Sequence, residues 1–203
     1  MKNNTLDFYN KCSNEYFNTT VDLDISELRD KFIRKINNNG KILDLGCGSG
    51  RDSKAFINLG FKVTAVDGSE KLAKLASEFI GENVIVSTFE NLSIDESFNG
   101  VWACASLLHI NSVELEELLM KIEKYLYNNG ILYMSFKYGN TDFIDEKGRY
   151  FNCYTEESIE ELINKIPGLE IDNIFRTVDV IPGREELVWL NIYVRKNKEQ
   201  MFA

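Results

Sequence analysis

Three glycines alternate in the segment KILDLGCGSGRD, residues 41–52, between a short apolar run and an Arg-Asp pair. Glycines there permit unusual backbone angles and let a ligand come close to the main chain. The segment leads into a predicted helix, whose first N–H groups lack partners and attract a carboxylate or a phosphate. The pattern therefore predicts a binding site for a ligand that carries an anionic group.

An acidic residue, Asp67, ends the next predicted strand, FKVTAVD, 19 residues after Gly48. A carboxylate at the end of that strand can accept hydrogen bonds from both hydroxyls of a ribose. The expected ligand therefore combines a ribose with an anionic group. Two ligands meet this description, a dinucleotide and S-adenosyl-L-methionine.

The glycine spacing distinguishes the two ligands. A dinucleotide fingerprint is G-x-G-x-x-G, but its third glycine would fall on Arg51 when counted from Gly46, or on Ser53 when counted from Gly48. The chain instead has G-x-G-x-G behind an acidic and an apolar residue. This resembles motif I of the class I S-adenosylmethionine-dependent methyltransferases, and the resemblance covers about residues 26–137. A weaker resemblance links GVWACASLLHI and SFKYG to small bacterial enzymes related to the tellurite-resistance methyltransferases.

The resemblance implies roles for individual cofactor-binding residues. Gly46 and Gly48 would approach the methionine part, Asp44 would orient the loop and the amino group, and Asp67 would hold the ribose. The remaining positions that it implies near the cofactor are Cys47, Gly68, Thr88 and Phe89. The family often has Asp where Thr88 stands, so the contact to the adenine amino group would come from a hydroxyl.

Strands and helices alternate along the chain, which predicts parallel crossovers and helices on both faces of an open sheet. A final hairpin, about 169–178 and 186–195, makes one strand antiparallel. With the resemblance, the expected fold is α/β, a Rossmann-like doubly wound sheet of seven strands with the last antiparallel. One domain is expected over residues 1–203, with an N-terminal helical cap over 1–40 and a flap-like insertion over 138–154.

The methyl acceptor is expected beyond the fourth and fifth strands. His109, the only histidine, follows the fourth strand and is either a general base or acceptor contact, or a structural group that caps a helix or binds a backbone carbonyl. Lys137, Arg149 and Tyr154 follow the fifth strand and could bind an anionic acceptor, although the segment could also be a solvated hairpin. In the N-terminal segment Tyr16 is expected to close over the cofactor, because aromatic faces attract a sulfonium.

Other side chains receive structural interpretations. Cys104 is expected in the core and Arg184 on the surface. The four cysteines and one histidine lack the spacing of a zinc site, so no metal is expected.

The overall composition limits the classes of binding partner. The net charge of −9 disfavours an extended nucleic-acid interface without excluding one. No apolar run reaches membrane-spanning length, so we expect a cytoplasmic protein that does not enter a membrane. We expect a small-molecule substrate, with RNA or protein as alternative acceptors. A non-catalytic S-adenosylmethionine-binding protein and a nicotinamide oxidoreductase are also compatible with the sequence, which does not determine the oligomeric state.

Overall fold

The computed structural model describes residues 3–37 and 39–197, and one β-sheet forms its centre. The strands are β1 Lys41–Leu45, β2 Lys62–Asp67, β3 Val84–Val86, β4 Phe98–Ala103, β5 Leu126–Tyr138, β6 Phe143–Ile144, β7 Tyr150–Phe151, β8 Cys153–Tyr154, β9 Leu169–Val178 and β10 Val188–Lys196. Residues 1, 2 and 38 of the expected cap, and residues 198–203 of the expected domain, lie outside the described residues.

Seven α-helices surround the sheet in the described part of the chain. They are α1 Asn3–Lys11, α2 Ser13–Thr20, α3 Ser26–Ile33, α4 Arg51–Asn58, α5 Glu70–Ile80, α6 Ser112–Tyr125 and α7 Glu156–Ile163. A 3₁₀ turn, Leu107–His109, follows β4. None of these described helices combines the length and the apolar character that crossing a bilayer requires.

Side chains cap the first turns of α5 and α6 with hydrogen bonds. The Ser69 hydroxyl accepts the Leu72 N–H at the start of α5, and Asn111 forms a capping box with Glu114 at the start of α6. The segment NNNG, residues 37–40, favours Gly40 as the left-handed residue after α3, but that residue is Asn39, with φ of 59°. Asparagine tolerates this conformation because its short polar side chain can form local hydrogen bonds.

The order of the strands is β3-β2-β1-β4-β5-β10-β9, and β10 runs antiparallel to both of its neighbours. The predicted seven-stranded, mostly parallel sheet with an antiparallel last strand is therefore confirmed. The short strand β8 adds to the sheet by pairing with the end of β5. Chain order reverses between β1 and β4, which is where ligands bind in sheets of this kind.

Both faces of the sheet are buried under helices, as in a doubly wound fold. On one face Phe32 of α3 and Phe56 of α4 pack around Trp102, whose indole stacks on Tyr133 with ring centroids 4.0 Å apart. On the other face, leucine and isoleucine side chains of α6 and α7 cover the sheet. This packing holds the carboxyl ends of β1, β4 and β5 side by side.

The segment after β5, expected as a flap, is a hairpin that is anchored on one side. Strands β6 and β7 pair antiparallel, and Phe143 of the exposed β6 stacks on Phe151 of the buried β7. The backbone N–H of Asn152 donates to the carbonyl of Leu108, so the hairpin is tied to the 3₁₀ turn after β4. The segment thus lies over the carboxyl ends of β4 and β5.

Candidate functional site

The loop after β1 has a backbone that requires glycine. Gly46, Gly48 and Gly50 have φ values of 82°, 57° and 78°, in the region that side chains with a Cβ rarely adopt. A Cβ on Gly46 would lie only 2.4 Å from the Cβ of Ser106. The loop is held to β2 because the N–H groups of Gly46 and Cys47 both donate to the carbonyl of Val66.

Asp67, at the carboxyl end of β2, faces the glycine loop. Its two carboxylate oxygens accept the N–H groups of Gly48 and Ser69, each at 2.8 Å. Burial raises the pKa of Asp67 to about 6, although these two hydrogen bonds act in the opposite direction. A carboxylate offers about four acceptor positions, so the two hydrogen bonds leave capacity for further donors from a ligand.

Asp44, the acidic residue before the loop, is buried and accepts the Ser53 hydroxyl at 2.6 Å. Burial, reinforced by the charge of Asp52, raises the pKa of Asp44 to about 7. Asp52 itself accepts from Arg29, Arg51 and the Trp102 indole. Burial opposes ionisation of Asp52, yet Arg51 and these hydrogen bonds leave the pKa of that carboxyl below its usual range.

Two cavities adjoin the glycine loop. The smaller, about 40 Å³, is bounded by Asp67, Gly68 and Phe89, together with Leu6 from α1. The larger, about 210 Å³, extends from the loop across the ends of β4, β5 and β10. The two cavities share lining residues: Tyr9, Tyr16, Gly46, Gly48, Ala105 and His109. They are therefore two parts of one site.

The first two helices cover this site. Tyr9 of α1 and Tyr16 of α2 pack edge to face, with ring centroids 5.1 Å apart. The Tyr16 ring lies against the loop, since a Cβ on Gly48 would be 3.3 Å from it. Phe17, which follows Tyr16 in α2, packs instead against Phe79 of α5.

His109 has hydrogen bonds at both ring nitrogens. Nδ1 lies 2.7 Å from the carbonyl oxygen of Tyr150, and Nε2 lies 2.8 Å from the phenol oxygen of Tyr9. Burial lowers the pKa of His109 to about 4, so the ring is neutral at pH 7. Because a carbonyl can only accept, Nδ1 carries the proton, Nε2 is an acceptor, and Tyr9 donates to it. The bond to a backbone carbonyl was one of the expected structural roles, and the contact with Tyr9 places the imidazole at the cavity as well.

Cations lie at the far end of the larger cavity. Lys137, Arg149 and Arg184 all contribute to its lining. Arg149 donates from Nε and Nη2 to Asp145, its neighbour on the hairpin. Arg184 is exposed as expected, yet it also borders the cavity.

Two predicted residues are not brought to either cavity. The Thr88 hydroxyl accepts a hydrogen bond from Asn91, and Thr88 lies outside both linings. Tyr154 is buried against Phe136 and accepts from the Asn152 amide. The expected core position of Cys104 is only partly right: β4 ends at Ala103, so Cys104 is half-buried and lines the larger cavity, as the predicted cofactor residue Cys47 does.

The sequence did not indicate that several other residues line the site. Ala105, directly after β4, has φ of 51°, a strained angle for a residue with a Cβ, and its N–H donates to the Ser135 hydroxyl. Asn191 of β10 and Thr177 of β9 line the larger cavity because the strand order places β10 beside β5 and β9 beside β10. Among the described residues, no group of three or more His, Cys, Asp or Glu side chains is placed to hold a metal ion.

Comparison with known proteins finds a match to a family model over part of the chain. Residues 43–134 match a family model described as a methyltransferase domain. The ubiquinone biosynthesis O-methyltransferase of Rickettsia akari is 29% identical over 100 residues, which are 47% of this chain and 39% of that protein. The chain therefore spans about two fifths of the length of that relative.

Solved structures share the fold at low identity. A Burkholderia thailandensis 1,6-didemethyltoxoflavin-N1-methyltransferase, with bound 1,6-didemethyltoxoflavin and S-adenosylhomocysteine, superposes with a TM-score of 0.79. It is 20% identical, and the match covers 96% of this chain and 88% of that one. The [4+2]-cyclase SpnF superposes with a TM-score of 0.65 at 17% identity, covering 84% of this chain and 80% of that one. The same fold thus carries more than one kind of reaction.

Proposed function

We propose that this chain, whose residues 43–134 match a methyltransferase domain, is a class I S-adenosylmethionine-dependent methyltransferase that transfers a methyl group from S-adenosyl-L-methionine to a small-molecule acceptor. The observation that carries the proposal is the pairing of Asp67 with Gly48. A carboxylate with spare acceptor capacity stands beside a loop whose glycines leave its main chain open. This arrangement suits a ribose next to the rest of an adenosyl compound.

The side chains at the site fit the cofactor. Asp67 would accept the ribose hydroxyls, Phe89 and Gly68 would flank the adenine, and Asp44 would hold the amino group. Gly46, Cys47 and Gly48 would lie along the methionine part, with Tyr16 over it. When bound, the cofactor supplies a methyl group on a sulfonium, which is displaced in line by the acceptor.

Thr88 keeps its proposed contact to the adenine only if its bond to Asn91 is exchanged for one to the cofactor. Leu6 and Tyr9 of α1 and Tyr16 of α2 line the site beside the glycine loop. These two helices would exclude water from the reacting atoms.

His109 would act through Tyr9. Its Nε2 is occupied by the Tyr9 phenol, which lines both cavities, so the phenol oxygen and not the imidazole faces the acceptor. An acceptor hydroxyl would pass its proton to the Tyr9 oxygen while the Tyr9 proton moves to Nε2. This relay applies only to acceptors that lose a proton on methylation.

The larger cavity supports a small molecule as the acceptor. It encloses about 210 Å³ beside the glycine loop and is lined by aromatic rings together with polar and charged side chains that can orient a small molecule. A non-catalytic cofactor-binding protein would need no such space beside the glycine loop. We further propose a cytoplasmic location, supported by four cysteines that are all free thiols.

Incubation of the protein with methyl-labelled S-adenosylmethionine and pooled metabolites tests the proposal. We expect labelled product and S-adenosylhomocysteine in equal amounts. Tight binding of S-adenosylhomocysteine without labelled product would favour a non-catalytic binding protein. Labelled RNA or protein would identify a macromolecular acceptor instead.

A further inference from the structure

Lys137, at the end of β5, is a cation without an anionic partner in the described part of the chain. No carboxylate among those residues lies within 4.0 Å of its ammonium group. The ammonium instead lies over the rings of Phe151, at 3.9 Å, and Phe143, at 4.8 Å. It lines the larger cavity in a half-buried position. Holding a charge there without a counter-ion costs free energy that a bound anion would offset.

Each carboxylate that lines the larger cavity already accepts at least one hydrogen bond. Asp44 accepts from Ser53, Asp52 accepts from two arginines and an indole, and Asp179 accepts the Trp189 indole N–H. Arg149 is paired with Asp145. Lys137 and Arg184 are thus the two cavity-lining cations without a carboxylate within 4.0 Å in the part of the chain that the structure describes.

An aromatic ring separates this cation from the Tyr9–His109 pair. The Phe151 ring lies 3.9 Å from the Lys137 ammonium and its centroid is 5.0 Å from the centroid of the imidazole. The rings of Tyr133 and Trp189 also line the cavity. The cavity therefore has a cation on one side of Phe151, the Tyr9–His109 pair on the other, and aromatic walls against which a ligand ring can pack.

We infer that the methyl acceptor is a hydroxylated aromatic acid, whose carboxylate is bound by Lys137 and whose hydroxyl faces Tyr9. The inference rests on the proposed methyl transfer and adds the class of acceptor to it. The ring would lie along Phe151, and Arg184 would add to the positive potential at the cavity border. Lys137 is then a specificity-determining residue, since it contacts the acceptor away from the atom that is methylated.

Matched acids and amides test the inference by calorimetric titration with S-adenosylhomocysteine present. The probes are 4-hydroxybenzoate, 3,4-dihydroxybenzoate and 4-hydroxyphenylacetate, each compared with its carboxamide. We expect at least one acid to bind about tenfold or more tightly than its amide, because a charge-assisted hydrogen bond is lost in the amide. In Lys137→Met this preference should disappear, and in Lys137→Arg it should persist.

Lys147→Met is the control, because Lys147 is an exposed cation of the same hairpin that lines neither cavity. It should keep the preference of the wild type. If no acid binds more tightly than its amide, or if the preference survives in Lys137→Met, the inference is overturned. Unfolding temperatures of the variants show whether a loss is due to misfolding, in which case the decision rests on the wild-type acid and amide pairs.

Titration with S-adenosylhomocysteine alone separates this inference from the proposed function. If that compound binds but no acid binds more tightly than its amide, only the inferred class of acceptor is overturned. If the compound does not bind, the proposed methyl transfer fails as well.

Discussion

The phenol oxygen of Tyr9 lies 2.8 Å from Nε2 of His109, so the acceptor nitrogen of the chain's one histidine is bound by a tyrosine of the first helix. Burial raises the pKa of Tyr9 to about 12, so the phenol keeps its proton at pH 7. Burial also keeps His109 neutral. A neutral donor is thus paired with a neutral acceptor, which is the arrangement that a proton relay requires.

Tyr9→Phe should lower turnover about tenfold or more while changing the affinity for S-adenosylhomocysteine less than about twofold. The ring that covers the loop is kept and only the relaying hydroxyl is removed, and positioned acid–base groups contribute about 10²–10⁴ to a rate. Steady-state kinetics with a hydroxyl acceptor and calorimetry measure the two quantities. Tyr138→Phe, outside both cavities, is the control. Full turnover of Tyr9→Phe would show that no proton passes through the phenol.

His109 should make the fold less stable in acid. Its folded pKa of about 4 lies below the ordinary value of 6.5, so between these values the unfolded chain binds the extra proton. Stability supplied by the neutral ring is therefore complete above pH 6.5 and is lost as pH falls towards 4. Between pH 7 and pH 5 the loss is about 2 kcal/mol.

Denaturant unfolding of the wild type and His109→Gln at both pH values measures this contribution. The wild type should lose about 2 kcal/mol more than the variant, because glutamine does not titrate. Burial raises the pKa values of Asp44 and Asp67, so these two groups change the free energy of unfolding in the opposite direction. Their contributions cancel when the change measured for the variant is subtracted from that of the wild type. If the free energy of unfolding fell equally in the wild type and in His109→Gln between pH 7 and pH 5, His109 would not be held neutral by burial.

Asp67→Ala should weaken the binding of S-adenosylhomocysteine by about 1–3 kcal/mol, because the ribose hydroxyls lose a charged acceptor. Calorimetric titration measures the affinity. Asp95→Ala, the loss of an exposed carboxylate that lines neither cavity, should leave it unchanged. Equal affinities of Asp67→Ala and wild type would show that the carboxylate does not hold the ribose.

Gly46→Ala should destabilise the fold more than Gly81→Ala. Both glycines have similar φ, 82° and 79°, so a Cβ adds about 1–2 kcal/mol of backbone strain at either position. At Gly81 nothing lies within 4 Å of that Cβ, whereas at Gly46 it would be 2.4 Å from the Ser106 Cβ. The difference between their free energies of unfolding therefore isolates the contact between the loop and Ser106. Equal losses would mean that this contact relaxes without cost.

Local patterns in the sequence predicted the sheet and the glycine loop. Strand and helix periods are read over neighbouring residues, and the predicted positions of Asp44 and Asp67 follow directly from where β1 and β2 end. The helix caps at Ser69 and Asn111 are also local, since each uses side chains and N–H groups within three residues. These features required no knowledge of the tertiary structure.

Pairing between distant residues was not predictable in the same way. The contact of Tyr9 with His109 joins residues 100 positions apart, and it depends on how α1 packs over the loop. Arg149 and Lys137 look equivalent in the sequence, but only the structure shows that Asp145 neutralises the first and leaves the second without an anion. Tyr154 was expected at the site, but its ring packs against Phe136 in the core instead.

A crystal structure with bound S-adenosylhomocysteine is the decisive experiment for the proposed cofactor site. We expect both ribose hydroxyls within hydrogen-bonding distance of the Asp67 carboxylate and the amino group beside Asp44, with Tyr16 over the glycine loop. An adenosine bound elsewhere, or a pyrophosphate of a dinucleotide lying against Gly46 and Gly48, would refute the proposed site.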